Sequence, residues 1–382
     1  MWALRNGVGQ KTSLYGKIHT MENNNSIREE DIRAAVAAGV LTEVQAQTFQ
    51  TYAHVRQGVR RNVAQDDEPF VLFSGFSEIF ISIGLVLLFV GIAGYSGVYD
   101  DFVTVPYGTI AITFGLAFYF TRKRKMVLPS IVLVLVFTLS LGVAVMKGKG
   151  VGLHMELNGP ALIVMSSIGA IGMVVYYLTF RLPFALLLLA GFIFAVFVGI
   201  GVALDPVGWS DGGDWSDRLF DLSQSTIVGV CSLVFGIFTF AAAMYFDLKD
   251  PQRVTRYSAC GFWLHIAAAP ALVNTVAVTL LNQGNLSGTL LGSGWLLLMA
   301  IVAIIIDRRS LLTMGVFYIA VVLAWFFDIS DMPHLPASFA MIFTLGVLVT
   351  VLGTWWMAIR HKLMRVLPTF PWKERLPPYG AI

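Results

Sequence analysis

Three side chains able to bind or relay protons stand in stretches otherwise built from Leu, Val, Phe, Ala and Gly. Glu78 lies in FSGFSEIFISIG, and His265 and Asn274 lie in FWLHIAAAPALVN. Ionisable groups are costly in hydrocarbon, so each one present is read first as functional. A carboxyl and an imidazole that met could pass a proton, because an imidazole titrates near neutrality. Each group also has a plainer reading. If its helix begins at Phe70, Glu78 lies two turns deep on a stripe with Ser74 and Ser82; if the helix begins at Phe76, it is an interfacial carboxylate. His265, about one turn inside its segment, is either a proton carrier or an interfacial histidine bonded to a backbone carbonyl. Asn274 is nine residues on, half a turn round a straight helix, so the two cannot line one wall. Pro270 between them leaves the Ile266 carbonyl without its N–H partner and is expected to kink the helix.

Just before this segment, FDLKDPQRVTR carries Asp247, Lys249, Asp250, Pro251, Arg253 and Arg256. Asp-Pro favours a turn, and the expected arrangement pairs Asp247 and Asp250 with Arg253 or Arg256. No paired catalytic carboxylates, Ser–His set with a third group or phosphate-binding loop is present. His154 and Glu156 stand close, but two residues make no site. No metal-ligand spacing occurs, so neither a metal nor a cofactor is expected. Cys231 and Cys260 fall near opposite ends of consecutive segments and are not expected to form a disulfide.

The elements that must hold these residues follow from composition. The chain has 382 residues, 57% hydrophobic and 13% charged, with a mean hydropathy of +0.74. A water-soluble domain carries about 25% charged residues. The excess apolar residues fall in runs of about 18–25, enough to cross a hydrocarbon core of about 30 Å. Runs such as ALLLLAGFIFAVFVGIGVAL lack the alternation of a membrane β-barrel strand. The expected fold is an all-α integral membrane protein of about ten transmembrane helices. They are placed near 76–96, 103–120, 127–146, 160–180, 182–203, 226–246, 261–281, 289–306, 311–327 and 337–358, within a bundle spanning 70–358. Ser77, Gly84 and Gly91, at seven-residue spacing, read as a close-packing face. Trp209, Trp215, Trp263, Trp355 and Trp356 read as interfacial belts.

Ahead of the bundle, residues 26–64 read as a small cytoplasmic helical hairpin. Ser26 with Glu29 and Thr42 with Gln45 each make a capping box, and Gly39 supplies the stop between them. An apolar stripe (Val44, Phe49, Tyr52, Val55) is expected to close on Ile32, Val36 and Val40. The hairpin is either a self-packed cap or a surface for a cytoplasmic protein partner. Residues 1–25 are expected to be a disordered extension, within which Met21 offers a second start. Residues 359–382 form a tail that begins as a basic continuation of the last segment, then becomes proline-rich and is expected to be extended. With both termini in the cytoplasm, the basic loops TRKRK (121–125), Arg181, Lys249/Arg253/Arg256, Arg308/Arg309 and Arg360/Lys362/Arg365 all fall inside. The acidic loops at 99–101, 205–221 and 328–331 fall outside. That is the positive-inside pattern.

FDLKDPQRVTR followed by FWLHIAAAP, and more weakly AAGVLTEVQAQTF, resembles bacterial polytopic membrane proteins grouped as a domain-of-unknown-function family. The resemblance implies a multi-pass location in the bacterial inner membrane and supplies no activity or catalytic residue. Two functional readings remain. One is a non-enzymatic membrane protein acting through packing and partner contacts in the envelope, with the lipid bilayer and a protein at the hairpin as its partners. The other is a proton-coupled carrier of a small solute using Glu78 and His265. Scarce charge inside the segments favours the first, and a count divisible into five plus five favours the second. Nothing in the pattern points to nucleic acid.

Overall fold

The computed structural model describes residues 76–98, 104–148, 158–206, 215–250, 253, 256–309, 335–368 and 373–377, and isolated positions between 32 and 49. The remaining positions lie outside the described residues. They include 1–25, most of 26–64, and the expected span at 311–327. The chain divides into two units, 1–65 and 66–382.

Within the first unit the local signals take the expected form. Gly39 adopts φ +72, and Val40 N–H donates to Ala35 O at 2.9 Å. Gln45 N–H donates to Thr42 Oγ1 at 3.2 Å while Thr42 N–H donates back to Gln45 Oε1 at 3.0 Å. This is the reciprocal capping box. Val40 does not join the expected stripe. It follows the left-handed turn and is 74% exposed.

The second unit is helical, with no strand among its described residues. Its helices are α1 (Phe76–Val98), α2 (Thr104–Ala117), α3 (Val127–Gly148), α4 (Gly159–Phe180), α5 (Phe184–Leu204), the short α6 (Trp215–Phe220), α7 (Thr226–Lys249), α8 (Arg256–Ala269), α9 (Thr275–Leu281), α10 (Leu286–Ile306) and α11 (Leu335–Val366). A π-helical turn, Phe118–Lys123, prolongs α2, and another, Pro270–Asn274, joins α8 to α9. Seven helices are long and apolar enough to cross a membrane, counting α8–α9 as one. Two sequence boundaries move. The segment expected from 261 begins at Arg256, and the one expected to end at 358 runs to Val366.

The helices bury one face and expose another that is equally apolar. On α1, Leu85 and Phe89 are buried, while Phe76, Phe80, Ile83 and Leu87 are more than half exposed. Apolar surface on this scale faces lipid rather than water. Leu133, Val134 and Phe137 of α3 and Met173, Tyr176 and Phe180 of α4 form one core with α1 and α2. Phe235 of α7 and Leu264 of α8 form another with Leu186 of α5. Gly84 and Gly91 do not form the expected packing face. Both are exposed, and a Cβ at either would meet nothing within 4 Å. Close approach falls at Gly159 instead, where a Cβ would lie 2.4 Å from Ala203 N.

Three contacts show which helix ends lie together. Phe118 after α2 stacks edge-on with Phe180 at the end of α4, with ring centroids 5.1 Å apart. Glu78 near the start of α1 meets the start of α3. Gly201 late in α5 faces Val228 early in α7. The basic turns after α2, α4, α7 and α10 therefore share one end of the bundle. At the other end Asn282 Nδ2 donates to Asp221 Oδ2 at 2.8 Å, and Leu222 N–H donates to Thr279 Oγ1 at 2.9 Å.

Candidate functional site

Part of the charge at the basic end gathers into one buried junction. Asp247 sits in the last turn of α7, and α8 packs along it because residue 261 is a glycine. A Cβ there would lie 2.1 Å from Asp247 Oδ1. Into that space Arg308 delivers a two-pronged contact, Nε to Oδ2 at 3.0 Å and Nη2 to Oδ1 at 2.5 Å. Such a bidentate, charge-assisted pair is stronger and more directional than a single bond. Arg308 Nη2 also donates to Ser258 O at 3.0 Å. His265 Nε2 lies 2.9 Å from Asp247 Oδ2. A carboxylate only accepts, so the ring proton stands on Nε2. The opposite ring atom, Nδ1, is buried without a hydrogen-bond partner among the described residues.

Arg308 is aimed by the way α10 ends. Asp307 adopts φ 58, ψ 45. Arg308 N–H donates to Ala303 O at 2.9 Å and Asp307 N–H to Ile304 O at 3.2 Å. These are the two bonds of a Schellman stop, with aspartate where glycine is usual. The Asp307 carboxylate is a second hub. Trp356 Nε1 donates to it at 2.7 Å, and Arg253 Nη1 lies 3.2 Å away. Arg253 also donates to the Asp307 backbone carbonyl. Arg360 approaches Asp307 at 3.8 Å and donates to Ile304 O at 3.2 Å and Pro377 O at 2.7 Å. The described residues of the tail are not extended: 359–366 continue α11, Lys373–Arg375 make a turn, and Leu376 is buried beside Trp356 and Met364.

Several sequence expectations change here. Asp247 pairs with Arg308 and His265, and Arg253 with Asp307, partners that lie outside the 247–256 turn. Asp250 is buried beside them, its N–H donating to Asp247 O at 3.1 Å, and Arg256 is exposed at the start of α8. His265 is fully buried and bonded to a carboxylate, not to a backbone carbonyl at an interface. Trp356 is buried rather than interfacial. Arg308 and Arg360 enter the sequence reading only as orientation signals, and Asp307 does not enter it.

Glu78 is elsewhere. Its helix is described from Phe76, and the side chain is buried, with Oε2 accepting from Val127 N–H at 3.3 Å and Leu128 N–H at 3.4 Å. It serves as the N-terminal cap of α3, satisfying amides that have no partner within their own helix. Glu78→Ala should lower stability by about 1–2 kcal/mol, with Glu78→Gln losing less because its amide oxygen still accepts. Thermal unfolding in detergent checks this. Glu78 and His265 thus take partners on different helices and are not a pair.

At Pro270 the helix passes without interruption into the π turn that ends at Asn274. A π turn takes up one extra residue, so Asn274 stands roughly 80° round the axis from His265 rather than opposite it. Its Oδ1 is buried without a partner among the described residues. A cavity of about 330 Å³ lies between α1, α2 and α3. Val86, Phe89, Pro106 and Leu139 line it with Thr109 and Ser140, and neither Glu78 nor His265 reaches it. Among the described residues no cluster of His, Cys, Asp or Glu could hold a metal ion. Cys231 and Cys260 are both free.

An all-helical bundle with seven membrane-length helices and an apolar outer face is the architecture of a multi-pass membrane protein. No protein-family model matches the chain, and no significant match is found among curated proteins or solved structures.

Proposed function

We propose that the chain is a multi-pass protein of the bacterial inner membrane that carries out no chemistry of its own. In this reading it acts as a fixed helical scaffold for partners in the envelope. Ten segments cross the membrane, 311–327 among them, with both termini cytoplasmic and the hairpin at 26–64 available to a cytoplasmic protein. The bacterial location follows from the resemblance of the 246–270 stretch, and the sidedness from the positive-inside pattern. The observation that carries the scaffold role is how the buried ionisable groups are used. Asp247, Asp307 and Arg308 join α7, α8, α10 and α11, and Glu78 joins α1 to α3. Groups committed to holding helix ends are poorly suited to picking up and releasing a cargo.

The second reading, a proton-coupled carrier, keeps one supporting observation, the buried Nδ1 of His265 beside a π-helical turn. The two separate in reconstituted vesicles under an imposed pH gradient. The scaffold reading expects proton flux equal to that of protein-free vesicles across a panel of small solutes. Solute-dependent flux that disappears in His265→Ala would overturn it and establish the carrier.

A further inference from the structure

Four consecutive cations, Arg122, Lys123, Arg124 and Lys125, occupy the π-helical end of α2 and the turn into α3, and all four are exposed. None meets a carboxylate among the described residues. Arg122 and Lys125 make no side-chain hydrogen bond or ring contact there at all. The four positive charges are consecutive in the chain, and among the described residues no carboxylate compensates them.

The turn that carries them is firmly held. Arg124 N–H donates to Tyr119 O at 2.9 Å and Met126 N–H to Phe120 O at 3.0 Å. Arg124 Nε donates to the Tyr119 hydroxyl at 3.2 Å, with its guanidinium 5.7 Å from the ring centroid and Lys123 Nζ at 5.9 Å. On the far side, Glu78 fixes Val127 and Leu128. Its carboxylate is thereby used on the backbone amides of α3. The charges are thus set on a rigid frame and left unneutralised, as suits an anion that arrives from outside.

The surroundings select the kind of anion. Only three residues, Arg124–Met126, separate the π turn from α3, so the cations stay close to the end of two membrane-length helices. Phe118 and Tyr119, immediately before them, are 44% and 42% exposed. Aromatic side chains directly below cations are the pattern of the headgroup layer. We infer that Arg122–Lys125, with Tyr119 as platform, binds the headgroup phosphate of an anionic phospholipid in the leaflet bordering this end of the bundle. This site depends on the membrane architecture alone and stands whether or not the protein transports a solute.

The test uses the full chain in zwitterionic detergent, with phosphatidylglycerol or phosphatidylcholine added and retained lipid counted by native mass spectrometry. Wild type should retain phosphatidylglycerol selectively. Retention should fall by roughly fivefold in affinity for each cation removed, and so be lost in the fourfold variant Arg122→Gln/Lys123→Gln/Arg124→Gln/Lys125→Gln. The paired change Lys362→Gln/Arg365→Gln, which removes exposed cations from α11, should leave retention unchanged. Should the fourfold variant not fold, Arg122→Gln and Lys125→Gln are read singly. Equal retention by wild type and site variants overturns the proposal, as does an equal loss in the α11 variant. Competition by millimolar inorganic phosphate would make the ligand a free anion, and tight binding of an oligonucleotide without lipid selectivity would make it a soluble polyanion. Either result also overturns the lipid assignment.

Discussion

Arg308→Ala should cost about 3–5 kcal/mol, the amount lost when one partner is removed from a buried ion pair. The loss is large because Asp247 stays where it was. Its carboxylate would be left with His265 alone in a buried position, and Ser258 O would lose the guanidinium that bonds it. Arg308→Lys should recover little, since a single ammonium cannot make the two parallel contacts at 3.0 and 2.5 Å. The informative control removes both charges. Asp247→Leu with Arg308→Met exchanges an ion pair for apolar packing, a change that is often near neutral, so it should be clearly more stable than Arg308→Ala. Thermal unfolding of the purified variants in one detergent gives the order. If Arg308→Ala unfolds within a degree or two of wild type, the junction contributes little.

Gly261→Ala should destabilise the same junction without touching a charge. Alanine normally improves a helix interior by about 1 kcal/mol over glycine. Here the new methyl would lie 2.1 Å from Asp247 Oδ1 and 3.3 Å from Ala243 O. Asp247 cannot retreat without leaving the Arg308 fork. Overpacking of about 1–3 kcal/mol, added to weakened charged hydrogen bonds of about 1.5–3 kcal/mol, outweighs the helical gain, for a net loss of about 2–4 kcal/mol. Gly84→Ala supplies the contrast. It meets nothing within 4 Å, so it should raise stability by about 0.5–1 kcal/mol. Opposite signs for one chemical change in two helices are the expected result, read from unfolding midpoints. Equal signs would mean that the space at Gly261 is not needed.

What could be read in the sequence was whatever is decided within a few neighbouring residues. The apolar runs found the helices because a membrane helix satisfies its own backbone. Gly39 with the Thr42–Gln45 box, and the irregularity at Pro270, were legible for the same reason. The junction was not. Asp247 and Arg308 are 61 residues apart, and Glu78 and Val127 are 49 apart. Nothing local to Arg308 distinguishes an arginine that turns inward from one that only marks a cytoplasmic loop. His265 stood out as a polar residue in an apolar run, but its partner was sought on α1 instead of 18 residues back on α7. The one available clue was Asp307. The residue directly after an apolar run is where a helix stop belongs, and a glycine was missing there.

That substitution at the end of α10 carries a consequence of its own. A glycine ends a helix whatever surrounds it. An aspartate forced into the left-handed conformation costs about 1–2 kcal/mol, which here is offset by Trp356 and Arg253 reaching its carboxylate from other parts of the chain. The boundary of α10 is therefore conditional on α11 and on the turn before α8. The Asp247–Arg308–Ser258 contacts lie within the chain up to α10, whereas Trp356 and Arg360 come from α11. Contacts shared in this way tie the end of α10 to three other helices, so these ends are expected to open together as one cooperative unit rather than to fray separately.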